Sequence, residues 1–320
     1  MSALDHDDPR KFAKDAAASQ ALVRKETGPC DQRPTLMERS PGSGFSRSLG
    51  RLIAALPFSK ATYGPYTARV RANQIRRLFR RIPKHVFTFV LCPPFCGSTL
   101  LMELLCTSPA ASATNYFGTR EGQTLPTFRH ILFDQDRRWD PTLKIDWRFV
   151  RSEWMQYWDQ TARVLVEKSP PHLVRARALQ HNFTPARFLI SWRNPYAHSE
   201  GWIARGVPAS EAAARAIECL RFQRSNLELE NALAIPYETV VDRPRDCVAL
   251  ILEFLPELES LDWGLEFRGH NRSRGDGAGG LANTNQMQIN RLTPLQLAEI
   301  NRVFEPERSL IEFFGYDYLG

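Results

Sequence analysis

The sequence predicts an α/β domain of three layers, in which a central parallel β-sheet of about five strands is flanked by helices. Short apolar runs rich in β-branched and aromatic residues alternate with longer segments of helical periodicity along residues 86–316. The chain has 320 residues, of which 43% are hydrophobic, enough for one large core. Strands that alternate with helices are typical of parallel sheets, because parallel neighbours need crossover connections.

The elements follow from these patterns in order. Strands are predicted at 86–91, 110–116, 163–167, 187–192 and within 232–240. Helices are predicted at 67–84, 100–105, 172–181, 196–204, 209–231, 244–255, 292–303 and 309–314, with a further short helix at 49–56. The Gly- and Arg-rich segment 269–280 has no periodicity and is predicted to be a mobile loop.

The domain organisation follows from composition. Residues 1–45 are polar and mixed in charge, with scattered Pro and Gly, and are predicted to be disordered, which leaves 46–320 as a single domain. The six cysteines form no Cys-x-x-Cys pair, so we expect free thiols in a reducing compartment. No apolar leader and no apolar run of about 18 residues is visible, so the sequence predicts a cytoplasmic protein without a transmembrane helix.

The net charge of +7 favours an anionic ligand. Residues 67–84 contain seven basic side chains and two apolar ones near the end, which predicts a basic amphipathic helix. A solvated helix face is the favoured interpretation of this segment, and weak contact with an acidic surface is the alternative. We expect no specific nucleic-acid partner, and the oligomeric state is left open.

The segment between the first strand and the following helix predicts an anion site. Pro93 and Pro94 end the strand, Gly97 permits a tight turn, and Ser98 and Thr99 open the helix. Free N–H groups at a helix N-terminus favour negative charge, and two hydroxyls add donors there. An ordinary capped turn is the alternative. A Walker loop is excluded, because no lysine lies between Gly97 and Ser98.

Two further strand ends carry charged residues. Lys168 follows the third predicted strand, and Arg193 follows the fourth. Ligands of open α/β sheets bind beyond the carboxyl ends of the strands. An anion loop, a lysine and an arginine at one sheet edge would suit a ligand with two separated anionic groups.

Residues 94–101 resemble the 5′-phosphosulfate loop of sulfotransferases, P-[KR]-S-G-[ST]-[ST]-x-L. The chain departs from it at Phe95, where the family has Lys or Arg, and at Cys96. Arg193 matches the arginine that holds the 3′-phosphate in that family. The family's serine eight residues further on is replaced by Gly201, and Ser199 is the nearby serine.

Three more segments extend the resemblance over most of 86–316. The sequence EKSPP at 167–171 resembles a lysine-bearing segment of heparan and related sulfotransferases. Residues 235–238 resemble the family's Tyr-Glu-Asp strand, and the Phe-Gly-Tyr tail resembles its C-terminal end. The resemblance implies a P-loop-NTPase-like sulfotransferase fold. It also implies metal-independent in-line transfer of a sulfuryl group from 3′-phosphoadenylyl sulfate (PAPS) to a hydroxyl or amine acceptor.

The resemblance assigns roles to particular residues. The donor would be bound by Phe95, Cys96, Gly97, Ser98, Thr99, Leu100, Arg193, Ser199, Gly201, Tyr237, Arg272 and Arg274. Because Phe95 carries no charge, Lys168 is the predicted cation that offsets charge on the bridging oxygen. The candidate bases are Glu121, His198 and, less favoured, Asp134. The alternative for Glu121 is a surface residue paired with Arg120.

Two other functions compete with this interpretation. A P-loop-related kinase would need the missing Walker lysine and a magnesium-binding aspartate on a strand. A non-catalytic nucleotide- or polyanion-binding protein would be consistent with the uncharged Phe95. The acceptor stays open among carbohydrates, peptide tyrosines and small molecules.

Overall fold

The computed structural model describes residues 64–133, 137–264 and 282–320. Five strands in these ranges form one parallel sheet in the order β2-β3-β1-β4-β5. They are β1 (Val86–Leu91), β2 (Ala111–Ala113), β3 (Val164–Glu167), β4 (Ala186–Ile190) and β5 (Ala232–Ala234). The predicted number, order along the chain and parallel direction of the strands are confirmed. The predictions for 1–45, 49–56, 269–280, Asp134, Arg272 and Arg274 lie outside the described residues.

The helices of the described residues connect and cover the strands. They are α1 (Gly64–Phe79), α2 (Ser98–Leu105), α3 (Trp147–Tyr157), α4 (Ala176–Asn182), α5 (Pro195–Ile203), α6 (Ala209–Asn226), α7 (Tyr237–Asp242), α8 (Pro244–Phe254), α9 (Asn285–Ile289), α10 (Pro294–Phe304) and α11 (Arg308–Phe313). None of them is long and apolar enough to cross a membrane.

Side chains alternate between the two faces of the sheet and create two apolar layers. Phe87, Phe89 and Leu91 of β1 face one buried cluster, which includes residues of α3, α6 and α10. Val86 and Val90 face the other cluster, which includes residues of α2 and α8. A strand that is buried on both faces has mostly apolar residues along its whole length, and this pattern predicts β1 from the sequence. The predicted three-layer arrangement is therefore confirmed.

The aromatic segment 127–162 belongs mainly to the core. Phe128, Trp154 and Trp158 are fully buried, and Trp154 and Trp158 pack edge-on against each other. Trp147–Tyr157 forms a helix that the sequence analysis did not assign, begun by Asp146, whose carboxylate accepts from two backbone N–H groups. These aromatics stabilise the layer beneath β1 and β3, as expected for aromatics at helical spacing.

Several predicted elements have different ends in the structure. The helix predicted at 172–181 begins at Ala176, and the one predicted at 209–231 ends at Asn226. The second strand is limited to Ala111–Ala113, and the first helix ends at Phe79, a few residues before Pro83. A residue before proline avoids the helical region, so the chain leaves the helix ahead of it. The prediction that 235–238 is a strand is wrong, because β5 ends at Ala234 and Tyr237 begins α7. Pro236 provides the break between them.

Candidate active site

The turn between β1 and α2 contains two residues with positive φ, Phe95 and Gly97. Gly97 lies in the left-handed region with φ of 89°, and a Cβ atom there would lie 2.8 Å from Cδ2 of Tyr237. Phe95 also has a positive φ of 62°, which few non-glycine residues adopt. Residue 97 must therefore be glycine for both conformational and steric reasons, since Tyr237 covers it directly.

Backbone N–H groups in the first turn of α2 supply the donors of the site. Ser98, Thr99 and Leu100 precede the first intrahelical bond, which runs from Leu101 N to the carbonyl of Gly97 at 3.1 Å. The Cys96 thiol does not contribute a charge, because burial raises its pKa well above the usual value. The turn thus presents backbone N–H groups together with the hydroxyls of Ser98 and Thr99, a set of donors that suits an anion.

Lys168 lies directly beside these hydroxyls. Its Nζ atom is 3.0 Å from Thr99 Oγ1 and 3.4 Å from Ser98 Oγ, and the side chain is only 3% exposed. The register brings this about: Phe89 of β1 is paired with Glu167 of β3, so Lys168 follows at the end of the neighbouring strand. The structure therefore places the buried side chain of Lys168 against the turn between β1 and α2.

Glu121 approaches the same ammonium from another segment. Its Oε1 atom lies 3.7 Å from Lys168 Nζ. Arg120 instead pairs with Glu103 of α2, which separates the two neighbouring residues. The alternative that Glu121 pairs with Arg120 at the surface is therefore wrong. The side chains of Glu121 and Lys168 therefore lie within one small region beside the turn.

A buried carboxylate holds the segment that carries Glu121. Glu167 Oε1 accepts from the backbone N–H of Gly122 and from Ser169 Oγ, both at 2.6 Å. Its other oxygen lies 3.3 Å from Nε2 of His172. The Gln123 side chain donates to Glu121 Oε2 at 2.5 Å, and its N–H donates to Ser169 Oγ at 3.3 Å. Sequence reasoning did not assign Glu167 a role, because its contact with Gly122 spans 45 positions.

Arg193 is held by contacts from several parts of the chain. Its guanidinium donates to the Phe95 carbonyl at 3.0 Å, to Thr284 Oγ1 at 2.7 Å and to Asn285 Oδ1 at 2.6 Å. It also stacks 4.2 Å from the centre of the Tyr237 ring. These bonds use three of its five N–H groups, so the arginine retains donors for an anion.

Glu238 is a second site residue that sequence reasoning missed. Its Oε1 accepts from the Asn194 N–H at 3.1 Å and from Asn285 Nδ2 at 2.6 Å, and Oε2 accepts from the Tyr316 hydroxyl at 2.8 Å. Burial and this carboxylate together raise the pKa of Tyr316. The carboxylate thereby fixes the segments on either side of Arg193. Its place in the predicted Tyr-Glu-Asp segment was the available signal.

Two residues of α5, His198 and Ser199, are engaged in contacts that do not suit their predicted roles as base and phosphate ligand. Burial, with help from the charge of Arg193, lowers the pKa of His198 to about 3, and its Nε2 accepts from Trp202 Nε1 at 3.2 Å. So weak a proton acceptor is a poor base near neutral pH. The Ser199 hydroxyl is buried and donates to the carbonyl of Pro195 at 2.8 Å. The structure therefore does not support His198 as the base or Ser199 as a phosphate ligand.

Gly201 packs against the loop between β1 and α2, so no space for a phosphate group is left beside it. A Cβ atom built on it would lie 2.9 Å from the Cβ of Phe95. The Phe95 ring packs edge-on against Trp202, with 4.9 Å between the ring centres. Phe95 and Gly201, two of the three positions at which the chain departs from the sulfotransferase pattern, are therefore in direct contact.

A sequence model of the sulfotransferase family matches residues 88–260, more than half of the chain. The chain therefore belongs to the sulfotransferase family. Together with the five-stranded parallel sheet, this confirms the predicted P-loop-like sulfotransferase fold. A comparison with curated proteins finds no match.

Several solved structures are similar to this chain. One is the sulfotransferase domain from the Synechococcus PCC 7002 olefin synthase, with 20% identity, a TM-score of 0.46, and coverage of 74% of this chain and 98% of that chain. A sulfotransferase from Mycobacterium avium has 16% identity and a TM-score of 0.44 over 98% of this chain and 97% of that chain. One from Alicyclobacillus acidocaldarius has 15% identity and a TM-score of 0.40 over 73% and 96%. These similarities are distant, and the family assignment rests on the family model.

Proposed function

We propose that this protein transfers a sulfuryl group from PAPS to a hydroxyl or amine acceptor, without a metal ion. The observation that carries the proposal is Lys168 Nζ at 3.0 Å from Thr99 Oγ1, in a turn whose backbone donors suit an anion. A kinase is disfavoured because the turn lacks the Walker lysine. A non-catalytic binder would have no use for the adjacent carboxylate of Glu121.

The proposed donor site has two parts, the turn between β1 and α2 and the arginine at position 193. The N–H groups from Cys96 to Leu100 would bind the 5′-phosphosulfate. Arg193 would bind the 3′-phosphate, because a guanidinium suits bidentate contact with phosphate. Tyr237, which lies over Gly97 and stacks on Arg193, would keep these two parts at a constant separation.

The proposed chemistry is a single in-line displacement. Glu121 accepts the proton of the acceptor as its oxygen or nitrogen forms a bond to sulfur. The bond between sulfur and the bridging oxygen breaks, and 3′-phosphoadenosine 5′-phosphate (PAP) leaves with the electron pair. Lys168 stabilises the negative charge that develops on the bridging oxygen, where a preorganised cation has the most effect.

Calorimetric titration with PAP in the presence of EDTA tests this proposal. The wild-type protein should bind PAP, and Arg193→Ala should lose roughly 10- to 150-fold in affinity, because one charge-assisted contact contributes about 1.5–3 kcal/mol. The matched control is Arg187→Ala, which removes a half-buried arginine that contacts Phe254 and Glu257 instead of the loop. A wild-type protein that does not bind PAP would contradict the function.

We also propose that the end of α1 makes weak contact with an acidic surface. Leu78 and Phe79 are 79% and 81% exposed and lie among the exposed side chains of Arg77, Arg80 and Arg81. Apolar side chains between cations are suited to anionic lipid. Co-sedimentation with vesicles that contain phosphatidylserine should be weaker for Phe79→Ser, and equal sedimentation of both proteins would refute the contact.

For the compartment, we propose the cytoplasm. The five cysteines of the described residues are free, which supports a reducing environment.

A further inference from the structure

Phe95 contacts two arginines that come from different segments of the chain. Arg193, at the end of β4, donates to its backbone carbonyl at 3.0 Å. Arg205, just beyond α5, places its guanidinium 3.9 Å from the centre of its ring. The loop thus has no basic side chain at position 95 but carries a guanidinium on that residue's ring.

The guanidinium of Arg205 is half-buried and has no carboxylate within ion-pair distance among the described residues. It donates to the carbonyl of Gly201 at 2.7 Å. Glu200 is the nearby acid, but its oxygens are engaged by Gln288 Nε2 at 2.9 Å and by Arg291 at 3.7 Å. Burial lowers the pKa of Arg205 and outweighs the opposing charge of Glu200, which compensates the cation only in part. A desolvated cation of this kind favours an anion as its partner.

The packing of Phe95 accounts for this placement. Its positive φ turns the side chain onto α5, where Gly201 leaves room for its Cβ atom. The ring then joins the small apolar cluster of Trp202, Val207 and Ala212. Arg205 lies two positions beyond the end of α5, donates to the Gly201 carbonyl and covers the ring. Phe95 therefore serves as a platform that positions a cation from a different segment.

We propose that Arg205 binds the sulfuryl group of the donor and supplies the positive charge that the loop itself lacks at position 95. This inference rests on the proposed function, since it assigns one more residue to the same donor site. Lys168, which follows β3, contacts the hydroxyls of Ser98 and Thr99, whereas Arg205, which follows α5, contacts the ring of Phe95 in the same loop. The sulfuryl group would then contact two cations, Lys168 and Arg205, from two different segments of the chain.

The test compares the affinities for PAPS and for PAP, which differ only in the sulfuryl group. Arg205→Gln keeps a donor for the Gly201 carbonyl but removes the charge. It should weaken PAPS binding by about 10-fold, the lower range for one charge-assisted contact, and change PAP binding much less. Arg205→Lys should retain part of the PAPS affinity. Arg224→Gln is the matched control. Arg224 belongs to α6, and its guanidinium lies 4.7 Å from the centre of the Phe313 ring, not on the loop.

The outcomes separate this inference from the function on which it rests. If the wild-type protein binds PAPS and PAP and Arg205→Gln binds PAPS equally well, Arg205 has no role in the site. An equal loss of PAPS and PAP affinity would overturn the assignment to the sulfuryl group. If the wild-type protein binds neither nucleotide, the proposed function fails together with the inference. Thermal unfolding of Arg205→Gln near the wild-type temperature would show that the variant is folded.

Discussion

Lys168 is the single residue on which the proposed chemistry depends most. It is buried, it contacts both hydroxyls of the turn, and its neighbouring carboxylate is Glu121. A buried ion pair is a weak source of stability, because desolvation offsets much of the attraction between its members. The proposed chemistry would give the pair another use, because it would hold the cation where negative charge develops on the bridging oxygen.

Lys168→Ala should lower kcat by about 10²–10³-fold with a smaller effect on donor affinity, because the cation acts mainly in the transition state. The measurement is steady-state transfer from radiolabelled PAPS once an acceptor is identified, combined with PAP titration. Lys84→Ala, which removes an exposed lysine before β1, is the control. A nearly normal kcat in Lys168→Ala would remove this residue from the mechanism.

At the scale of the element, the turn between β1 and α2 depends on its glycine. Gly97→Val should abolish PAP binding and leave the secondary structure largely intact. Its side chain would collide with Tyr237, and its backbone would have to hold a φ of 89°, which L-residues rarely adopt. Circular dichroism and PAP titration measure the two effects. Gly206→Val, at a positive φ with no atom near its Cβ position, is the control for backbone strain alone. Normal binding by Gly97→Val would place the anion site elsewhere.

The segment from Glu121 to Gln123 is an element whose position depends on Glu167. Its carboxylate is fully buried and accepts from the Gly122 N–H and the Ser169 hydroxyl. Glu167→Gln should cost about 1.5–3 kcal/mol of the free energy of unfolding, as expected for weakened hydrogen bonds to a charged acceptor. It should also lower kcat more than it raises the Kd for PAP, because Glu167 positions Glu121 and does not contact the donor.

Urea unfolding and PAP titration measure these two quantities for Glu167→Gln. The control is Glu228→Gln, because Glu228 is 73% exposed and pairs with Arg177 at 3.5 Å. An exposed pair of this kind contributes little, so its removal should change stability by less than about 1 kcal/mol. If Glu167→Gln lowered stability but left kcat unchanged, Glu167 would be a purely structural residue.

At the scale of the whole molecule, donor binding should appear as thermal stabilisation. A ligand at 100 times its Kd stabilises the folded state by about 2.7 kcal/mol. For a chain of 320 residues, that corresponds to a rise in Tm of about 4 °C with PAP. ATP with Mg²⁺ should produce no comparable rise, because the turn lacks the Walker lysine.

The same measurement separates the competing functions. A polyanion binder would be stabilised by heparin, and added salt would abolish the shift. A kinase would respond to ATP with Mg²⁺. A shift with heparin alone would contradict the proposed sulfotransferase activity, and Arg193→Ala, which should lose the response to PAP, provides the internal control.

The sequence by itself determined the order of the strands and the strand-to-helix turn at 93–99. Both depend on local features: apolar runs make strands, and the Pro-Pro, Gly and Ser-Thr positions of 93–99 break the strand and open a helix. These signals lie within a few residues of one another. The resemblance to sulfotransferases also rested on short contiguous motifs, and the family match confirmed it.

Only the tertiary structure decided which residues meet. Arg193 contacts Thr284 and Asn285 across more than 90 positions, and Glu167 reaches Gly122 across 45. Local periodicity carries no information about such pairs, because they arise from strand register and crossover packing. The same reason explains Phe95 and Gly201. In sequence they are two separate departures from a pattern, whereas in the fold they form one contact, since a phenylalanine at position 95 approaches the helix so closely that only glycine fits opposite it.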